Sequence, residues 1–184
     1  MIDEISRRLK EHRQVLPPLC PTQIWNENIS RQIVNATDAE LFGSQTQSEL
    51  QTEMRASCRA GLLLLNDDLS ASHTISQAIE TATGSFWHAI MHRREGDFSN
   101  ANYWWRKTGE HPVFPEIFDA ATCCIQGEED QNTKNFLTVL ERAGAWQPME
   151  FVAACERIAP RDSRLCSVQF AEMCALLNWC RAQI

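Results

Sequence analysis

Apolar side chains recur at helical spacing along most of the chain. They stand three or four positions apart, which lines one face of an amphipathic helix, and no stretch alternates apolar and polar residues over the length of a strand. The sequence has only six valines and one tyrosine, two residue types that favour strands. The pattern therefore predicts an all-α protein, organised as a single compact multi-helix bundle over residues 1–184.

Capping residues and prolines predict where the first helices begin and end. A first helix is predicted to end before Pro17-Pro18, because proline lacks an amide hydrogen and restricts the residue before it. A short helix is expected within Trp25–Val34, and Thr37-x-x-Glu40 has the spacing of a capping box at the start of a longer helix. The apolar positions of these faces are Ile2, Ile5, Leu9 and Leu16 in the first helix, and Leu50, Met54, Cys58, Leu62 and Leu65 in the longer one.

The rest of the chain is predicted to continue as helices. Ser70–Thr81 forms one of them, and Thr83-Gly84-Ser85 supplies a break and a cap before Phe86. Pro115 and Pro148 each suit the first turn of a helix, where the missing amide hydrogen costs nothing. The last helix runs from Leu165 to about Ala182 and is apolar on much of its circumference, which is typical of a helix central to a core.

The segment from Phe86 to Phe114 holds three of the five histidines and most of the chemically active side chains. Within it, Gly96-Asp97-Phe98-x-x-Ala101-x-x-x-Trp105 resembles the tetratricopeptide repeat, which implies a helical hairpin with a turn at the glycine. Asp97 or Ser99 is expected to cap its second helix. No second copy follows at the 34-residue spacing of that repeat, so one hairpin inside a bundle is expected instead of an array.

The same segment resembles a bacterial protein family that has no assigned activity. The resemblance rests on His92–Phe98, Asn100-Ala101, Tyr103-Trp104 and His111–Phe114, and extends over roughly residues 70–184. The chain departs from that family at Gln147, where an aspartate is expected, and at Met173, where an aromatic residue is expected. This resemblance implies no ligand and no reaction.

Composition excludes several classes of protein. The net charge of −7 argues against nonspecific nucleic-acid binding, which needs a surplus of lysine and arginine. Apolar runs such as Leu62–Leu65 are far shorter than the ~20 residues that cross a bilayer, and the first residues lack a secretory pattern, so a cytoplasmic location is expected. None of the eight cysteines forms a C-x-x-C pair, and reduced, mostly buried thiols are expected.

The histidines of the segment suggest a metal site. His88, His92 and Glu95 stand at i, i+4 and i+7, on one stripe of the predicted helix, and His73 or His111 can complete a site for a divalent metal such as zinc. Two other interpretations stay open. The histidines can hydrogen-bond Asn100, Asn102 or the backbone inside the core, or they can act as an acid and a base without a metal.

Cations alternate with aromatic residues along the same segment, a mixture that binds small anions and stacks on rings. The alternative is that the arginines pair with neighbouring carboxylates, Glu95, Asp97 and Glu110, while their stems cover aromatic rings. The candidate ligand-binding residues are Arg93, Arg94, Asn100, Tyr103, Trp104, Arg106 and His111.

Two functions are consistent with these patterns. The leading hypothesis is a helical binding or scaffolding protein whose hairpin meets a protein partner or a second copy of the chain, because tryptophan, tyrosine and arginine dominate binding hot spots. The competing hypothesis is a metal-dependent or acid–base enzyme that acts on a small anionic substrate at His88, His92 and Glu95. The sequence has none of the glycine-rich or nucleophile-elbow signatures of the common enzyme classes.

Overall fold

The computed structural model describes residues 1–11, 15–43, 48–127, 130–157 and 162–184, and within these ranges every regular element is an α-helix. This confirms the all-α prediction. None of the described helices is both long and apolar enough to cross a bilayer. The helices are α1 (Ile2–Glu11), α2 (Glu27–Asn35), α3 (Asp38–Phe42), α4 (Glu49–Leu65), α5 (Leu69–Ser76), α6 (Ala82–Glu95), α7 (Phe98–Thr108), α8 (Phe114–Ile125), α9 (Gln131–Ala143), α10 (Pro148–Arg157) and α11 (Ser163–Arg181).

Short polar side chains cap most of these helices. The capping box at Thr37 and Glu40 is present, but it starts the five-residue helix α3 and not the long helix. Gly43, in the left-handed conformation at φ 82°, ends α3, because a residue without a Cβ adopts that conformation at little cost. The long helix α4 begins later with its own cap, Ser48.

Three predicted helix faces are shorter than expected. Helix α1 ends at Glu11, and Leu16 lies outside it with its side chain exposed; residues 12–14 are outside the described ranges. Leu50 in the first turn of α4 is also exposed, while the rest of the predicted face is buried. Helix α5 ends at Ser76, so Ile79 packs from the connection that follows it.

The predicted break at Thr83-Gly84-Ser85 is wrong, because α6 already begins at Ala82 with Thr81 as its cap. Gly84 lies in the first turn of α6 for a steric reason. A Cβ at this position would stand 2.2 Å from the carbonyl oxygen of Ile79. The glycine therefore lets the preceding connection cross the helix at close range.

Helices α4, α6 and α11 form the centre of the bundle. Helix α11 packs against α4 and α8, α5 packs against both α4 and α6, and α6 pairs with α7 as the predicted hairpin. Gly61 of α4 admits the indole of Trp87, since a Cβ there would stand 2.6 Å from the ring. Gly96, at φ 87°, ends α6, and Asp97 caps α7 by accepting from the amide of Asn100. The turn residues of the hairpin thus have the duties that the sequence pattern predicted.

Two arginines are fully buried at the end of α6. Arg93 donates to both carboxylate oxygens of Glu172 on α11, one of them at 3.3 Å, and its guanidinium lies 4.4 Å from the centre of the Phe151 ring. Arg94 pairs with Asp67 and also donates to the carbonyl oxygens of Leu64 and Pro18. These bonds join α6 to α11, to the end of α4 and to the loop after α1.

The Arg93–Glu172 pair predicts a large loss of stability when one partner is neutralised. Glu172→Gln leaves the guanidinium buried without its counter-charge, and we expect the free energy of unfolding to fall by about 3–5 kcal/mol. Urea denaturation followed by circular dichroism measures the change. The matched control is Glu4→Gln, which breaks an exposed Arg–Glu pair with Arg7 and should leave the denaturation midpoint nearly unchanged. Equal midpoints for the two variants would show that burial does not set the strength of the pair.

Candidate metal centre

Two neighbouring helices bring three histidines together. His73 lies on α5, which Asp68 caps and which a 2.9 Å hydrogen bond from Ser72 Oγ to the carbonyl oxygen of Ala60 fixes to α4. His88 and His92 lie four residues apart on α6, and therefore on one face of it. Because α5 packs against α6, the three side chains converge.

The three imidazoles form a compact cluster. One ring nitrogen of each histidine lies within 4.8 Å of one nitrogen of each of the other two. The rings of His88 and His92 are stacked with their centroids 4.7 Å apart, and the His73 centroid lies 4.8 Å from His88 and 5.2 Å from His92. His88 and His92 are buried, whereas His73 is partly exposed.

Hydrogen bonds fix the orientation and the tautomer of His92. A carboxylate only accepts, so His92 Nδ1 carries the hydrogen and donates to Glu95 Oε2 at 3.1 Å. His92 Nε2 then carries the lone pair, and Asn100 Nδ2 stands beside the ring, 3.1 Å from Nε2 and 3.4 Å from Nδ1. Glu95 was predicted as a ligand alongside the histidines. The structure instead places it behind His92, as the carboxylate partner that metal-binding histidines commonly have.

His88 is the unusual member of the cluster. Its side chain is only 3% exposed, yet neither of its ring nitrogens has a hydrogen-bond partner among the described residues. The ring is stacked on Trp104 of α7 with centroids 4.0 Å apart. Burial, helped by the neighbouring His92 and His73, lowers the pKa of His88 to about 4. The imidazole is therefore neutral near pH 7 and has a free lone pair.

The predicted anion-binding arginines are not part of this cluster. Arg93 and Arg94 are buried, and their charges face Glu172 and Asp67. The prediction that these arginines pair with carboxylates and cover aromatic rings is confirmed, but the partners are Glu172 and Asp67 in the core and not Glu95, Asp97 or Glu110. Arg106 is exposed on α7.

His111 also lies away from the cluster. Its Nδ1 accepts from the Val113 amide at 3.3 Å, and its Nε2 stands 3.4 Å from Thr83 Oγ1. The ring packs edge-on against Phe86 and Trp179. Burial lowers the pKa of His111 to about 4, which suits a neutral, structural imidazole.

Helix α7 closes the cluster from the side. Trp104 covers His88, Tyr103 stands edge-on to Trp104 and is 48% exposed, and Lys107 Nζ lies 4.9 Å from the Trp104 ring centre. The sequence predicted that these residues lie near the histidines, but it did not predict that the indole of Trp104 stacks on His88. The sequence also did not predict Glu172 as the partner of Arg93. The signal was the pair of polar residues Gln169 and Glu172 on one side of an otherwise apolar helix, which indicates a buried cation nearby.

Comparison with protein-family models, curated proteins and solved structures finds no match to this chain. The resemblances to the tetratricopeptide repeat and to the bacterial family stay predictions. What the site can do therefore follows from its chemistry alone.

The cluster has the donor set of a transition-metal site. Zinc binds imidazole nitrogens at about 2.0–2.1 Å, which separates two nitrogens of a tetrahedral site by about 3.4 Å. The 4.8 Å limit in this structure is wider than that. The side chains would have to rotate to bring three nitrogens onto one ion, because the His88 and His92 rings are stacked, although both already stand on the same helix face. Three imidazoles leave one position of a four-coordinate ion for another ligand.

The pKa of His111 predicts an acid-sensitive contribution to stability. An unfolded histidine has a pKa near 6.5, so the unfolded chain takes up the proton first as the pH falls. The contribution is complete above about pH 6.5 and is lost as the pH falls towards the folded value of about 4. Between about pH 7 and pH 5 the free energy of unfolding of the metal-free wild type should fall. In metal-free His111→Gln that fall should be smaller by roughly 2 kcal/mol, because the variant has no imidazole at this position to protonate.

Urea denaturation at the two pH values measures this difference. The contribution of neutral His88 to the free energy of unfolding falls in the same pH range. Both proteins contain His88, so this change cancels in the comparison. An identical pH dependence of wild type and His111→Gln would contradict a buried, neutral His111.

Proposed function

We propose that this protein binds a divalent transition metal ion, with zinc as the best match, through His73, His88 and His92. The observation that carries the proposal is His88: a buried imidazole whose two nitrogens have no partner among the described residues, inside a cluster of three. An unsatisfied buried polar group costs about 1–3 kcal/mol, and a coordinated metal would remove that cost.

The protonation state of the cluster supports the proposal. A metal competes with protons for imidazole lone pairs, so a site is strongest where the free histidines are neutral. Burial lowers the pKa of both His88 and His92, partly opposed at His92 by Glu95. The donation from His92 Nδ1 to Glu95 leaves Nε2 as the nitrogen with a lone pair and increases its basicity.

A metal held by three histidines could also support a reaction. A metal with three protein nitrogens and a further exchangeable position can polarise a ligand or lower the pKa of a bound water to about 7. This is the metal-dependent form of the enzyme hypothesis, with a small anion as the natural substrate because the centre would be positive. Metal-free acid–base catalysis has weaker support, since His88 has a pKa of about 4 and no group orients it as a base.

A second candidate function is association through the outer face of α7. The supporting observation is that Tyr103 is half-exposed beside Trp104, with Lys107 and Arg106 close by on the same helix. Aromatic residues next to cations are typical of binding hot spots. This proposal keeps the scaffolding hypothesis and is independent of the metal.

The metal proposal predicts near-stoichiometric zinc in protein purified without a histidine tag. His88→Ala and His73→Ala should each weaken zinc binding by about 100-fold or more, because each removes a ligand, and Glu95→Gln should weaken it about 10–100-fold. Elemental analysis and competition with a chromophoric chelator measure both. His111→Gln is the control and should bind as wild type does. Folded wild-type protein that neither contains nor binds zinc would rule the proposal out.

The association proposal predicts concentration-dependent self-association. Wild-type protein should sediment partly as a dimer at high concentration, and Tyr103→Glu should sediment as a monomer at every concentration, because it places a charge in the contact. Sedimentation velocity gives the answer, with Met149→Glu as the control at another exposed apolar side chain. A monomeric wild type throughout would contradict self-association through this face.

A further inference from the structure

A polar cleft between α1 and α2 shares no residue with the histidine cluster. It is open to solvent and has a volume of about 500 Å³. Pockets for small molecules usually have about 300–1,000 Å³, so the cleft has room for more than a single ion. The described residues that line it are Arg8 of α1 and Asn28, Arg31, Gln32 and Asn35 of α2.

Buried apolar faces hold the two walls of the cleft in place. Helix α1 buries Ile5 and Leu9, and α2 buries Ile29 and Ile33. Both helices pack against α4. The polar residues of the cleft therefore stand on two helices that a third helix positions, and not on loops.

Neither arginine of the cleft has a carboxylate partner among the described residues. Arg31 donates from Nε to the carbonyl oxygen of Glu27 and from Nη2 to Asn28 Oδ1. A guanidinium has five N–H donors, so three of them stay free for a ligand. By contrast, the neighbouring Arg7 on α1 pairs with Glu4.

The charge of this cleft favours an anion. The lining has two guanidinium groups and, among the described residues, no carboxylate. The planar fork of an arginine matches the oxygens of a phosphate group, to which it donates two parallel hydrogen bonds. The whole chain has a net charge of −7 and so repels anions in general, which makes a local cationic cleft the place where one binds.

Primary amides make up the rest of the described lining. Asn28, Gln32 and Asn35 stand at i, i+4 and i+7, and therefore on one face of α2. A primary amide both donates and accepts hydrogen bonds, as a hydroxyl group does. The amides beside the guanidinium groups thus fit a ligand that has hydroxyl groups as well as a phosphate group.

We propose that this cleft binds a small phosphorylated sugar or polyol. Its phosphate group pairs with Arg8 and Arg31, and its hydroxyl groups bind the side-chain amides of α2. This binding site is independent of the proposed metal centre and of the outer face of α7.

Isothermal titration calorimetry with glucose 6-phosphate, at a constant ionic strength of ~0.15 M, tests the proposal. Wild-type protein should bind one equivalent. Arg8→Gln and Arg31→Gln should each weaken binding about tenfold or more, because each removes hydrogen bonds from a charged donor. Neither side chain is buried, so both variants should keep the wild-type urea midpoint.

Inorganic phosphate and a further variant test the class of ligand. Inorganic phosphate should bind more weakly than glucose 6-phosphate, because it has no sugar hydroxyl groups for the amides. The double variant Gln32→Ala/Asn35→Ala should weaken the binding of glucose 6-phosphate and leave that of inorganic phosphate unchanged. Equal affinities of the wild type for the two compounds would overturn the assignment of a phosphorylated polyol.

Two control variants separate the cleft from other sources of anion binding. Arg106→Gln removes an exposed arginine of α7 and should bind as wild type does; a loss equal to that of Arg31→Gln would indicate general charge attraction and overturn the proposal. His88→Ala should also bind as wild type does, whether or not the protein binds zinc. Loss of binding in His88→Ala would place the anion at the histidine cluster, and a wild type that does not bind glucose 6-phosphate would rule the site out.

Discussion

Helix α6 is buried continuously from Thr83 to Arg94, and every polar side chain along it has to find its partner inside the protein. This constraint organises the bundle around it. Arg93 reaches Glu172 on α11, Arg94 reaches Asp67 after α4, and His92 reaches Glu95 and Asn100. An unpaired charge in such a place costs several kcal/mol, so these contacts hold α6 in one rotation about its axis.

The rotation of α6 determines where the histidines point. With the two arginines directed towards α11 and the end of α4, His88 and His92 face α5 and α7. His73 on α5 and Trp104 on α7 then cover the pair from two sides. His88 is the member of this set for which the described protein supplies an aromatic neighbour but no hydrogen bond. A metal ion would supply a partner for His88, as Glu172 and Asp67 do for the two arginines.

Sequence reasoning reached the helices and the hairpin because their signals are local. The capping box at Thr37 and the glycine and aspartate of the hairpin turn act on neighbouring amides, and their roles are confirmed. It failed for the partners of Arg93 and Arg94, because the pairs with Glu172 and Asp67 span 79 and 27 residues and depend on how the helices pack. The spacing of His88 and His92 predicted a shared face, but only the packing of α5 showed that His73 completes the cluster.

Eight cysteines offer zinc a second set of ligands, so the identity of the donor atoms decides whether the histidine cluster is the metal centre. X-ray absorption at the zinc edge of protein carrying one equivalent of zinc measures those donors. A centre on the three histidines predicts a first shell of nitrogen and oxygen at about 2.0–2.1 Å, with the outer scattering of three imidazoles. A shell containing sulfur at about 2.3 Å would place the metal on cysteines, and would contradict a centre built on His73, His88 and His92.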